Sequence, residues 1–259
     1  MNRVKVILAD WNGYSLKRKK VLGRNKINCG LGRLLRAINS QNSGVDFELY
    51  LVINTDKLVP DSVFASIFGK RSVPKKKYIS LKSKYPFVKK IFFRNNQGMD
   101  IGAYDYGLEL LRKENYNGDV LFLNSSVVGP KDDNWLKKYQ LLFYKNDSTG
   151  MCGISLNSHN TISDEKAFMP HIQSFFLYTN MDVLEHVFPD GFLDKSINYD
   201  KQKLILDGEI GISTRVINAG YCITASSFSD FRYFAGDKWG IPEGDIRFTD
   251  EYKHLINKI

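Results

Sequence analysis

The sequence predicts an α/β fold with a mostly parallel central sheet flanked by helices. Three observations lead there. VKVILAD (4–10) reads as a buried strand, VLFLN (120–124) as a strand buried on both faces, and the runs FELYLVINTD (47–56) and VKKIFFRN (88–95) as the strands between them. Helical spacing occupies the gaps, so the order reads strand, helix, strand, helix, strand, helix, strand. The runs end in polar residues, and open α/β sheets bind ligands beyond the carboxyl ends of their strands.

The first run delivers Asp10, Trp11 and Asn12, with Gly13 as the turn. Residues 17–29 are basic and poorly periodic, which predicts a mobile loop. LGRLLRAINSQ (31–41) places Leu31, Leu34, Leu35 and Ile38 on one helical face, and Ser43-Gly44 ends it. The second run ends at Asn54, Thr55 and Asp56. VPDSVFASIFGK (59–70) reads as a short amphipathic helix, with Pro60 in its first turn and Gly69 at its end.

The third run hands Arg94 and Asn95 to a central stretch, NQGMDIGAYDYGLELLRKENYNGDVLFLNSSVVGP (96–130). Here Ile101, Tyr104, Leu108 and Leu111 share a helical face. Asn96, Gly98 and Gly102 precede or open that helix, and glycine there permits a tight turn and a close approach. Asp100 falls near the helix start, where a negative charge suits the dipole. The strand that follows ends in Asn124, Ser125 and Ser126, either a site or a plain polar strand end.

Beyond Pro130, DDNWLKKYQLLFY (132–144) predicts a helix with Trp135, Leu136, Tyr139 and Leu142 inward. GMCGISLNS (150–158) and HIQSFFLYT (171–179) each read as one strand, the second followed by a helix from about Asn180. In LDGEIGISTRVINAGY (206–221), Ile210, Ile212, Val216 and Ile217 form an apolar face and Gly220 caps the end. Glu209 is expected at this helix's N-terminus, which favours its anion. The remainder, from Ser226, is expected to fold over the sheet or the cleft, with Tyr233 and Trp239 either packed in the core, the commoner role, or stacked on a sugar.

A chain of 259 residues can bury a sizeable core, and it is read here as one domain, 1–259. Residues 1–130 would form one half and 131–259 the other. No run approaches the roughly 20 apolar residues that cross a bilayer, and the N-terminus lacks a signal-peptide pattern. Cys29, Cys152 and Cys222 are odd in number and widely spaced, which predicts a reducing, cytoplasmic setting and no zinc site. The net charge of +9 concentrates in KRKKVLGRNK (17–26) and GKRSVPKKKYISLKSKYPFVKK (69–90). A solvated basic surface and peripheral contact with the anionic inner membrane face are both consistent with that. Nucleic acid is not expected: Tyr78, Tyr85 and Phe87 lie among the lysines, but no recognition motif accompanies them.

The motif N-x-G-x-D-x-G-A-Y (96–104), followed by F-L-N-S-S-x-x-G-P (122–130), resembles the centre of the glycosyltransferase A-type fold, family 2. More narrowly, it is similar to a group of bacterial glycosyltransferases of cell-surface polysaccharide synthesis. A second stretch resembles the family motif E-D-x-x-L-S-x-R-x-x-x-A-G-Y at Ser213, Arg215 and Ala219-Gly220-Tyr221, which registers the family's acidic base on Glu209. Gly208 stands where the first acid of that pair would be.

The resemblance implies a nucleotide-diphosphate sugar donor, a UDP-sugar first among them, and a glycan or lipid-linked glycan acceptor. It implies donor contacts from Asp10, Asn54, Asp56, Asn96, Asp100, Asn124, Ser125 and Ser126. It places His171, Gln173 and Ser174 toward the acceptor. Glu209 would take the proton from the attacking hydroxyl in an inverting transfer. Where the family carries a DXD metal motif, this chain has Asn124, Ser125 and Ser126, so metal dependence stays open. Asp100 could substitute as a ligand if the fold brings it close. The rival readings are a non-catalytic nucleotide-sugar or glycan binder, a nucleic-acid binder, and a dehydrogenase. The last would need G-x-G-x-x-G where the chain reads ADWNGY.

Overall fold

A computed structural model describes residues 3–22, 25–56, 73–159, 167–197 and 199–242. In chain order the elements are β1 (Val4–Trp11), β2 (Arg18–Leu22), β3 (Asn25–Cys29), α1 (Leu31–Ser40), β4 (Phe47–Thr55), α2 (Lys75–Lys84), β5 (Val88–Asn95), α3 (Met99–Lys113) and β6 (Asp119–Asn124). There follow α4 (Trp135–Tyr144), β7 (Thr149–Gly153), β8 (Leu156–His159), β9 (Phe168–Ile172), β10 (Phe176–Asn180) and α5 (Met181–Val187). The last are α6 (Lys201–Lys203), a π-helical segment (Leu204–Ile210), α7 (Gly211–Asn218), β11 (Cys222–Ala225) and β12 (Phe228–Tyr233).

An eight-stranded sheet runs β12-β11-β7-β10-β6-β1-β4-β5. The four expected strands are parallel neighbours, β6-β1-β4-β5, as right-handed crossovers require. β10 inserts antiparallel between β6 and β7. The mostly parallel α/β architecture is therefore the one the apolar runs predict.

Helices cover both faces, which is why those runs are apolar without alternation. On one face Val6, Leu8, Leu49 and Leu51 pack with Leu34 and Leu35 of α1, Tyr78 of α2 and Trp135 of α4. On the other, Ile7, Ala9, Tyr50 and Val52 meet Ile101, Tyr104 and Leu108 of α3 and Val216 of α7. The burial of Trp135, Leu136, Tyr139 and Leu142 agrees with the helical spacing.

Three expectations are corrected. The basic segment 17–29 is the hairpin β2–β3, not a loop: Arg18 pairs with Cys29 and Leu22 with Asn25. Backbone pairing holds such a ribbon together without an apolar period. The stretch 150–158 is two strands, because the chain leaves the main sheet at Gly153 and β8 pairs with β9 instead. The stretch 171–179 likewise breaks at Gln173–Phe175, with Phe176 N–H donating to the Gln173 carbonyl at 3.4 Å. Gln173 and Ser174 are the polar residues of that turn, and they sit in a buried break with no glycine or proline to mark it. The predicted helix at 59–70 lies outside the described residues. No helix among the described residues is long and apolar enough to cross a membrane.

Candidate functional site

Parallel register brings the polar strand ends onto one edge. Ala9 lies opposite Asn124, Trp11 opposite Asn54, and Asn54 opposite Arg94. Asp10, Asn54 and Asn124 are therefore neighbours because their strands are.

Asp10 is buried at the end of β1. The Ser125 hydroxyl donates to one of its carboxylate oxygens, and the Tyr78 hydroxyl donates to the other at 3.4 Å. Burial pushes the Asp10 carboxyl up to about 7, against the lowering effects of Ser125 and of the Arg18 cation. Burial also raises Tyr78, reinforced by Asp10. Asn12 is committed to structure: its side-chain oxygen accepts the Val73 N–H at 3.0 Å.

Asn54 is enclosed and fully engaged. It donates to the Met99 carbonyl at 2.9 Å and accepts from the Arg94 guanidinium at 2.6 Å. Arg94 also donates to the Gln97 carbonyl at 2.7 Å. Asp56 is exposed and accepts from the Trp11 indole at 3.0 Å and from the Asn96 amide at 2.8 Å. It thus ties β1 to the turn before α3. Gly98 adopts φ 71° in that turn, a left-handed conformation that suits glycine. At Gly102 a Cβ would lie 2.2 Å from the Gln97 carbonyl oxygen, so only glycine lets α3 start beneath the turn.

The fold does bring Asp100 to Asn124. The Asn124 amide donates to the Asp100 carboxylate at 2.6 Å. The Asn124 carbonyl oxygen accepts the Ser126 N–H at 3.1 Å and the Ser126 hydroxyl. This donor set does not fit a hard divalent cation: it offers one carboxylate, already hydrogen-bonded, beside amide and hydroxyl groups. Among the described residues no group of three His, Cys, Asp or Glu side chains converges.

Glu209 reaches the same edge from the other half of the chain. Its carboxylate accepts the Ser174 N–H at 2.8 Å and the Ser174 hydroxyl. The next residue, Phe175, accepts the Asn124 N–H on its carbonyl at 3.2 Å. Tyr104 completes the link. Its buried hydroxyl donates to the Ser174 carbonyl at 3.1 Å, and after burial its raised pKa reflects the charges of Asp100 and Glu209. Glu209 does not open a helix. The helical run begins after Asp200, whose side chain accepts the Lys203 N–H at 2.7 Å, and Glu209 lies inside the π-helical turn. Its carboxylate contacts Ser174 and not the first turn of a helix.

The three acceptor-side candidates differ in position. Ser174 is half-buried against Glu209. His171 is buried in β9 with Nδ1 on the Met169 carbonyl at 2.7 Å. Gln173 is buried in the break between β9 and β10. Ser213 accepts the Ile172 N–H at 3.0 Å. Arg215 donates to the Gly191 carbonyl at 3.2 Å and to that of Phe192, while Asp105 accepts the Phe192 and Leu193 N–H groups at 2.5 and 3.0 Å. Arg215 and Asp105 clamp one loop from two sides.

Sequence reasoning missed Tyr78, Arg94 and Tyr104. Arg94 was legible as the cross-strand partner of Asn54. Tyr104 lies four residues after Asp100, one turn along the same side of a helix. Tyr233 and Trp239 pack against each other, with ring centroids 5.6 Å apart.

A family model described as RgpF: Rhamnan synthesis protein F matches residues 72–227. Among solved structures the chain is similar to S. aureus TarS 1-349, with 13% identity and a TM-score of 0.49. That match covers 90% of this chain and 60% of the other, so the chain spans about 60% of that structure's length. A search of curated proteins finds no match.

Proposed function

The chain belongs to the rhamnan synthesis protein F family, a glycosyltransferase-like family, and from that premise we propose a specific transfer reaction for it. A sugar moves from a nucleotide-diphosphate donor, a UDP-sugar first among candidates, to a hydroxyl of a glycan or lipid-linked glycan acceptor. The setting is cell-surface polysaccharide synthesis. Glu209 takes the proton from the acceptor hydroxyl as that oxygen forms a bond to the anomeric carbon. The bond from that carbon to the diphosphate breaks with inversion, and the nucleoside diphosphate leaves with the electron pair.

The observation that carries this reading is the Glu209–Ser174 contact one residue from the chain segment that pairs with Asn124. It supports the reading because Ser174, which holds the carboxylate, is one residue from the carbonyl that accepts the Asn124 N–H. Asp56, Asn96 and Asp100 form the nucleotide side, and buried Asp10 and Asn54 support it from beneath. Asn124, Ser125 and Ser126 supply neutral hydrogen bonds to the sugar or the diphosphate. Arg18, whose positive field reaches Asp10, offsets part of the diphosphate charge. Ser174 orients Glu209 on the acceptor side, and His171 and Gln173 shape the wall behind it.

The test is Glu209→Gln. Transfer falls by at least about a hundredfold, as loss of a general base predicts, while nucleotide binding is retained. Unchanged turnover removes the assignment. The missing DXD acids favour a second reading, a binder without transferase activity. A panel of nucleotide sugars tested for transfer, with and without Mn²⁺, separates the two.

A further inference from the structure

We propose that the outer face of α2 (Lys75–Lys84) docks this protein on an anionic lipid bilayer. The helix buries Tyr78 and Leu81 against the sheet and leaves Lys75, Lys76, Lys77, Lys82 and Lys84 exposed. Ile79 is 52% exposed, about 100° around the helix from Tyr78 and farther from Leu81. Its helical neighbours three and four residues away are Lys75, Lys76, Lys82 and Ser83, so one apolar side chain stands in a ring of cations. No acidic residue occurs from Val73 to Asn95. The adjoining strand β5 is the edge of the sheet, and its exposed Lys90 belongs to the other face, where it pairs with Glu114 and lies over the Tyr50 ring.

Charge complementarity selects the occupant. An interfacial helix attracts anionic headgroups with its lysines and inserts an apolar side chain between them, while the long lysine stems follow the surface. Single-stranded nucleic acid would instead need exposed aromatic platforms. Here Tyr78 and Tyr85, which lie among the lysines in sequence, are buried. The face also joins the candidate site directly. Tyr78 projects from the inner side of α2 to Asp10, so a docked helix would hold the end of β1 close to the lipid surface. Access to a lipid-linked acceptor is the part of this inference that rests on the proposed reaction.

The experiment is flotation of the whole chain with phosphatidylcholine vesicles, with and without phosphatidylglycerol, at low and high salt. Binding is expected only with phosphatidylglycerol and is expected to fall with salt. Lys76→Gln combined with Lys82→Gln lowers partitioning about twenty-fivefold, from two surface charges at roughly fivefold each. Ile79→Ser lowers it further with an unchanged circular dichroism spectrum. Equal binding to neutral vesicles, or no loss in the lysine variant, overturns the proposal. So does preferential binding of a single-stranded RNA oligomer that the same variants abolish. No donor enters this assay, so vesicle binding without transfer refutes only the reaction, and transfer without vesicle binding refutes only the docking face.

Discussion

The side-chain amide of Asn124 donates to the carboxylate of Asp100 at 2.6 Å, bridging the end of β6 and the first turn of α3. A neutral donor faces an anion where two acids would otherwise need a cation between them. The pair is internally satisfied, and it leaves Ser126 and the Asn124 carbonyl oxygen on the side toward the strand edge.

Asn124→Asp should convert this pair into a metal-responsive one. Losing the amide donor leaves Asp100 beside a like charge, at a cost of about 1–3 kcal/mol. The variant's melting temperature is expected to fall in chelator and to recover with Mn²⁺ or Mg²⁺, while the parent protein responds little. Differential scanning fluorimetry reads this, and identical metal responses in the two proteins would refute it.

Ser174→Ala removes one of two donors to Glu209 and leaves the backbone N–H in place. A hydrogen bond to a charged group contributes about 1.5–3 kcal/mol, so kcat should drop roughly ten- to a hundredfold. Donor KM should change little, and Ser174→Thr should recover part of the loss. A large rise in donor KM with kcat intact would place Ser174 on the donor side instead.

Asp10 makes stability depend on pH. Its carboxyl titrates near 7 in the folded chain, well above the ordinary range of an unfolded one. Between about pH 4 and pH 7 the folded state therefore binds more protons than the unfolded state. Stability from this group is present below that window and is lost as pH rises through it. Asp10→Asn should flatten that part of the profile, measured by urea denaturation at several pH values. A variant profile parallel to the parent's would show that Asp10 does not titrate there.

Gly102→Ala should destabilise the protein by about 1–3 kcal/mol, because overpacking forces its neighbours to move. The new methyl would meet the Gln97 carbonyl at 2.2 Å and the Arg94 guanidinium at 3.0 Å. Displacing Arg94 would also free Asn54. Chemical denaturation checks the cost, and a difference below the measurement error would mean that the turn before α3 yields easily.

What was legible in the sequence was whatever burial writes as composition. The runs at 4–10, 47–56 and 120–124 announced strands because both their faces are covered, the half-exposed run at 88–95 forms the sheet edge, and their polar ends announced a shared site. Glu209 was found through a motif rather than a pattern. Its surroundings were not legible, because Ser174 reaches it from a turn 35 residues upstream that no glycine or proline marks. The β2–β3 hairpin escaped because backbone pairing of basic residues carries no periodicity. Tyr104 counted as an apolar face residue, although its hydroxyl is what joins α3 to Ser174.

Glu209 rides on a coil that holds one residue more per turn than its surroundings. Wide turns of this kind are rare and recur at functional sites. Were this one to close by a single residue, the segment would swivel by about 100°, the angular step of an ordinary helix. The carboxylate would then leave Ser174 while the sheet stayed still. Deleting one amino acid between Leu204 and Ile210 would therefore act less like a truncation than like turning a key.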